Sequence, residues 1–311
     1  MAKRPSAMDR FLEWTLNLDR RWIYLLVAVS VITPIVVPIG LPVTTTSSTR
    51  SAFEFVETLK PGDVAWLSFD YGPSSAPEND PMAEAFLRQC FLKKVRVVVI
   101  ALYPLGGLGL ANNVLAKITA EFPNLVYGED YVNLGYKDGA AAVMRRLGDN
   151  IADAFPTDVN GRPIGEFPIL RGIHDIKQVK VVFTAATGLI GEYWITQVHA
   201  QFGTPVIIGP TAVSAPKYYA FLNAGQLVGM LGGMKGAAEY EKLLRAKYPE
   251  LDRFYGGTRL FTATKGMDGQ TVLHTVILLL ILLGNIAYLR SRARRRVTDV
   301  GGGRGPAGTR P

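Results

Sequence analysis

The sequence predicts an α/β fold: a three-layer α/β/α sandwich around a mostly parallel sheet of about five strands, flanked by two transmembrane helices. Three observations carry this reading. Short β-branched runs alternate with segments of helical periodicity between residues 64 and 208, the pattern of a parallel sheet covered on both faces. The run VRVVVIALY at 95–103 is nearly continuous in apolar residues, as expected of a central strand buried on both sides. Two uncharged stretches bracket the region, at 22–42 and 271–289.

The first stretch, WIYLLVAVSVITPIVVPIGL, follows Arg20 and Arg21 with Trp22 at the interfacial position, and reads as an uncleaved signal anchor. Pro34, Pro38 and Pro42 kink or fray its outer end, because each removes a backbone donor and clashes with the turn before it. The stretch at 271–289, TVLHTVILLLILLGNIAYL, is nineteen residues long, roughly 28 Å as a helix and close to the hydrocarbon thickness of a bilayer. It runs into Arg290, Arg292, Arg294, Arg295 and Arg296, which places the C-terminus in the cytoplasm and the residues before Thr271 outside it. The predicted organisation is a cytoplasmic segment at 1–21, a span at 22–42, an extracytoplasmic domain at 43–270, a span at 271–289 and a basic, disordered cytoplasmic tail at 290–311. Asn285 and His274 are positioned to hydrogen-bond across to the first span.

Within the domain the turn Pro61–Gly62–Asp63 introduces a strand at Val64–Asp70. A helix at Pro81–Lys94 has Pro at its first position and Asp80 as cap. After the second strand come a helix at Leu110–Phe122, a short strand at Leu125–Tyr127 and a helix at Ala140–Phe155 that stops before Pro156. Residues 157–178, rich in Gly, Pro and Asp, form a long excursion, read as a lid, a partner-binding loop or a small β-ribbon. A strand at Val179–Thr184, a helix at Leu189–Phe202 and a strand at Pro205–Ile208 complete a Rossmann- or flavodoxin-like sheet with right-handed crossovers.

The net charge of +8 suggests nucleic acid until it is located. Residues 1–22 carry five basic residues against three acids, residues 290–311 carry seven against one, and the rest is neutral. The excess therefore sits beside the membrane, where topology and anionic headgroups account for it. The lone cysteine, Cys90, allows no internal disulfide and no Cys-based metal cluster. No GxxxxGK[ST], HExxH or GxSxG occurs, and GGLGLANN at 106–113 lacks the third glycine of a dinucleotide fingerprint. No cofactor, metal or catalytic set is assigned, and of the three histidines only His174 and His199 lie in the domain.

In open parallel sheets ligands bind beyond the strand C-termini. The loops there supply the candidate ligand-binding residues: Asp70, Tyr71 and Ser74 after the first strand, Tyr103 after the second, and Glu129, Asp130 and Lys137 after the third. Thr184 and Thr187 follow the fourth strand, and Thr211 the fifth. Asp70, with Glu78 and Asp80 nearby, is either a carboxylate for a metal or a proton, or a cap of its own Gly72–Pro73 turn. Thr184, Thr187 and Gly188 either cradle an anion or cap a helix.

The segment 217–247 reads as one glycine-rich helix in which Gly225, Gly229 and Gly233 are spaced four apart and Gly232 and Gly236 repeat the spacing. Glycine is unfavourable in a helix by about 1 kcal/mol relative to alanine, so five of them point to a smooth contact face. That face packs on the domain's own sheet, on a second copy, or in the membrane interface. The functional expectation is a membrane-anchored, extracytoplasmic, non-enzymatic ligand-binding or assembly component, with the bilayer and a second copy or another membrane protein as partners. The alternative is an envelope hydrolase or transferase using the strand-end carboxylates.

Overall fold

A computed structural model of the chain describes residues 19–37, 39–251 and 261–301, with side chains as far as 292. Residues 1–18, 38, 252–260 and the tail from 302 lie outside the described residues. The chain forms two compact units, Gly40–Met267 and a second made by the residues on either side of it.

Gly40–Met267 is built on a six-stranded sheet: β1 Val64–Asp70, β2 Arg96–Ala101, β3 Tyr131–Tyr136, β4 Val181–Ala186, β5 Val206–Pro210 and β6 Gly229–Met230. The spatial order is β3-β2-β1-β4-β5-β6 and every neighbouring pair is parallel. The chain starts in the middle of the sheet, works outward to β3, then returns beside β1 and works outward the other way. This is the doubly wound order, with its switch point between β1 and β4.

Alternation along the strands divides the core in two. Leu67, Phe69, Val99, Phe183 and Ile207 pack under α2 Ser47–Glu57, α3 Ala76–Leu92, α4 Gly107–Glu121 and α10 Gly233–Lys247. Trp66, Val98, Val182 and Ile208 face the other way. They pack under α5 Ala140–Asp149, α6 Ile151–Ala154, α9 Ala215–Asn223 and the helical run formed by α7 Ile190–Tyr193, a π-helical turn Trp194–His199 and α8 Ala200–Phe202. The excursion at 157–178 is ordered by three single-turn 3₁₀ helices whose Ile164, Ile169 and Ile176 are buried.

Three expectations are corrected. The third strand is Tyr131–Tyr136 rather than Leu125–Tyr127, because YVNLGY is the run that pairs with Val97–Ala101. Glu129 and Asp130 therefore precede β3 and sit at the N-terminal edge of the sheet. Second, 217–247 is not one helix: α9 ends at Asn223, Gly225 turns at φ +71°, β6 adds to the sheet, and α10 starts at Gly233. The glycines that suggested a stripe serve separate local purposes. Gly229, inside β6, lies so close to α2 that a Cβ there would stand 2.4 Å from the Ala52 nitrogen. Gly233 starts α10 at φ +62° against Ala212, and Gly236 packs on the Leu231 backbone.

Gly229→Ala is consequently expected to lower unfolding stability by about 2 kcal/mol or more, since backbone rather than a flexible side chain would have to move. Gly225→Ala, with open space around it, meets only the penalty of its positive φ, about 1 kcal/mol. Urea titration of the two variants in one detergent distinguishes them; equal losses would contradict this packing.

The third correction concerns the spans. α11 is one continuous helix, Thr262–Gly301, so residues 290–301 of the tail expected to be disordered are helical, and Gly266 in its first turns packs against Met234. Among the described residues α11 alone is long and apolar enough to cross a membrane, over Thr262–Arg292. The helix at the first stretch, α1 Arg20–Val36, has 17 residues with Pro34 inside, about 25 Å of rise against a core of about 30 Å. It ends with the Val37 N–H donating to the Thr33 carbonyl, one residue before Pro38, where the missing donor stops propagation. In this second unit Asp268 accepts from the Ile39 N–H at 3.0 Å, and Gly269 lies beside Val31 and Ile35 of α1. Asn285 and His274 are exposed.

Candidate functional site

The strand-end edge at the β1/β4 switch point is where a ligand site belongs, and here it is filled by the protein's own side chains. Ser68, Asp70 and Thr184 lie on the same face because β1 and β4 are in register Ser68↔Thr184. The Asp70 carboxylate, fully buried, accepts from the Ser68 hydroxyl, the Thr184 hydroxyl and the Trp194 indole N–H, each at 2.7 Å. The Leu102 backbone adds a further bond. Burial pushes Asp70 up to about 6, against the pull of those donors. Its backbone carbonyl also receives the Thr187 N–H. Asp70 thus ties β1, β4 and the π-helical turn together, and its lone pairs are directed inward.

One residue on, Tyr71 leaves on the opposite face and donates to Asp80 of α3, whose pKa burial also raises. The loops above close on one another. A Cβ at Gly72 would stand 2.7 Å from the Tyr103 ring, and Gly106 takes its αL turn against Pro73. Gly107 sits on the Phe69 carbonyl, and Gly191 against Ile208 and Tyr218. Thr211 donates to Ser214, and the Ala212 N–H donates to Glu78. The Gly188 carbonyl accepts from Lys217, which pairs with Glu192. The helical run after Thr187, from Ile190 to Phe202, has no side-chain hydrogen bond capping its start. Ser74 remains exposed on this edge.

Of the remaining predicted residues, Lys137 lines a cavity of about 370 Å³ beyond the end of β3, with Tyr136, Phe155 and Asp158. Asp130 lines another of about 320 Å³ at the opposite edge, and its carboxylate accepts from the Val126 N–H. Glu129 is exposed there. The sequence candidates therefore do not converge. Asp70, Tyr71 and Thr184 are structural, Tyr103, Ser74, Thr187 and Thr211 cap the edge, and Glu129, Asp130 and Lys137 lie elsewhere. Among the described residues no group of three His, Cys, Asp or Glu side chains is placed to hold a metal ion.

A polar cluster that the sequence reading missed lies under α3, α4 and α10. Arg88, fully buried, donates to both carboxylate oxygens of Glu121 at 2.7 and 2.8 Å and lies 3.5 Å from Glu84. Glu84 also pairs with Lys117. Glu241, buried and raised to about 7 by desolvation, accepts from the Ala263 and Thr264 N–H groups and so caps the first turn of α11. Two residues earlier, Glu239 accepts from the Thr46 N–H and hydroxyl at the start of α2. The available signal was Glu84 and Arg88 at i,i+4 on a helix otherwise apolar from Met82 to Phe91 but for Gln89.

No family model matches the chain, and neither does a curated protein or a solved structure.

Proposed function

We propose that this protein is a membrane-anchored α/β domain outside the cytoplasm that works by contact, as a non-enzymatic assembly component, rather than by turnover. The observation that carries the reading is the closed strand-end edge, where the one well-placed carboxylate, Asp70, is buried under Trp194 with three side-chain donors on it. A reacting carboxylate must reach substrate within hydrogen-bond distance, which disfavours the hydrolase or transferase alternative. Anchoring rests on α11 with its trailing arginines. α1, with exposed Trp22, Tyr24, Ile32 and Ile35, is read as a second apolar element in the same bilayer, so that both termini are cytoplasmic.

Two measurements test this. Protease added to spheroplasts should cut the domain, while inside-out vesicles protect it; the opposite pattern removes the extracytoplasmic assignment. Asp70→Asn should sustain whatever growth or envelope phenotype the deletion strain lacks. Its amide nitrogen can face Ser68, whose hydroxyl turns to accept, while its oxygen keeps Thr184 and Trp194. A folded Asp70→Asn protein that fails to complement would favour chemistry over contact.

A further inference from the structure

We infer that the strand-end edge of the α/β unit rests on the bilayer surface, with Leu105, Leu189 and Val213 as its lipid-contacting tips. This deepens the contact reading above and rests on it. The three residues occupy the loops after β2, β4 and β5 and are 73 %, 58 % and 91 % exposed. Single exposed aliphatic residues need no explanation, but these crown three loops of one edge. With the order β2-β1-β4-β5, they spread over three strand spacings, roughly 14 Å.

The three loop segments that carry the tips are themselves uncharged. Residues 103–110 (YPLGGLGL), 186–190 (ATGLI) and 209–216 (GPTAVSAP) contain no ionisable side chain but Tyr103. The loops at the opposite edge carry Lys60, Asp63, Lys93, Lys94, Glu129 and Asp130. Charge near hydrocarbon is expensive and uncharged apolar tips are favoured there. At this edge Glu78 is tied to the Ala212 N–H and the Lys217–Glu192 pair to the Gly188 carbonyl, and Lys137 and Asp138, after β3, add charge at the flank.

The exit of the chain selects lipid over a soluble protein as the occupant. α3 and α10 both begin at the strand-end edge, because each follows a parallel strand. Phe261 lies near the guanidinium carbons of Arg88 and Arg245, towards the far ends of those helices. The Ala263 and Thr264 N–H groups then meet Glu241, and Gly266 meets Met234, the second residue of α10. The first turns of α11 therefore run towards the strand-end edge. Met234 adjoins Gly233, which packs on Ala212 beside Val213. Four residues after Met267 the uncharged stretch 271–289 begins, about 6 Å of helix further on. Met267, the last residue of the unit, thus leaves it at the end that carries the apolar tips, four residues along the chain from the apolar stretch.

The test uses the full chain with single cysteines at Leu105, Leu189 and Val213, and controls at Val126, an exposed apolar residue of the opposite edge, and Leu282, within the apolar stretch of α11. Native Cys90 is fully buried and its thiol is pushed up by burial, so it can stay. After nitroxide labelling and reconstitution in phosphatidylethanolamine–phosphatidylglycerol vesicles, collision with oxygen and with a water-soluble nickel chelate is measured. The tips should resemble Leu282, with oxygen collisions dominant, and Val126 should show the reverse. Tips as open to nickel as Val126, with Leu282 in lipid, overturn the inference and leave the anchored reading intact. Leu282 open to nickel overturns the anchored reading itself. Tips shielded from both reagents, or shielded only at high protein-to-lipid ratio, identify a protein contact and also overturn the lipid assignment.

Discussion

Replacing Arg88 with methionine is expected to destabilise the α/β unit by about 3–5 kcal/mol, the range for removing one partner of a buried ion pair. Methionine fills most of the volume but leaves Glu121 without its two guanidinium bonds, Glu84 with Lys117 alone, and Glu241 without the charge of Arg88. Urea unfolding of wild type and variant in one detergent at neutral pH gives the difference. Acid should narrow it, because carboxylates stripped of Arg88 take up protons in the folded state at higher pH than in the unfolded chain, which favours folding as pH falls. A second replacement, Glu121→Leu, on the variant background should recover much of the loss, since an apolar pair of similar size is often as stable as the ion pair. A loss below about 1 kcal/mol for Arg88→Met, or no recovery in the double variant, would contradict this account of the cluster.

Asp70→Ala should be comparably damaging, by about 3 kcal/mol or more, because it leaves the Ser68, Thr184 and Trp194 donors in a dry interior and each such group costs about 1–3 kcal/mol. Asp70→Asn keeps acceptors for Thr184 and Trp194 and should lose about 1 kcal/mol near pH 4, where the folded protein holds Asp70 protonated. The pH dependence follows from the direction of the shift. Asp70 titrates near 6 in the folded protein against 3.8 ordinarily, so between those values the folded state holds the extra proton. Its contribution to stability is present below about pH 4, falls as pH rises to about 6, and is flat beyond. The difference in stability between wild type and Asp70→Asn should therefore change in favour of the variant across that window by up to about 3 kcal/mol. Subtracting the two curves isolates Asp70 from Glu241, which titrates higher, near 7. A difference curve flat from pH 4 to 6 would show that Asp70 is not held as described.

Both predictions concern charges inside a folded interior, and neither interior was legible along the chain. Asp70 stood out in sequence only as an acid leaving a strand, a position that elsewhere faces a ligand. What turns it inward is Trp194, 124 residues away, brought over β4 by a crossover. Arg88 passed as an ordinary helix charge because its partners Glu121 and Glu241 come from two other helices. α2 went unread for a similar reason. SSTRSAFEFVE is a modest helix former, and Glu239, nearly two hundred residues later, accepts from Thr46 at its start. Strands β1, β2, β4 and β5 were readable because burial on both faces demands continuous β-branched runs, a local property.

The glycines around 225–236 show the limit of spacing as an argument. Intervals of four match a helix stripe, yet Gly225 and Gly233 sit at positive φ, where a helix cannot continue, and Gly229 joins a strand that Ala52 approaches too closely for any side chain. Spacing records which residues are small and not which backbone conformation made smallness necessary.

By itself the sequence determined the alternating α/β plan, the apolar stretch of α11 with its arginine border and the neutral charge of the folded region, because each depends on residues adjacent along the chain. Tertiary structure alone decided the strand order, the turning of Asp70 away from solvent, the buried Arg88 cluster and the gathering of Leu105, Leu189 and Val213 on one edge. Those depend on which distant segments meet, and pairings between distant segments follow from how all the apolar faces are buried at once rather than from any local pattern.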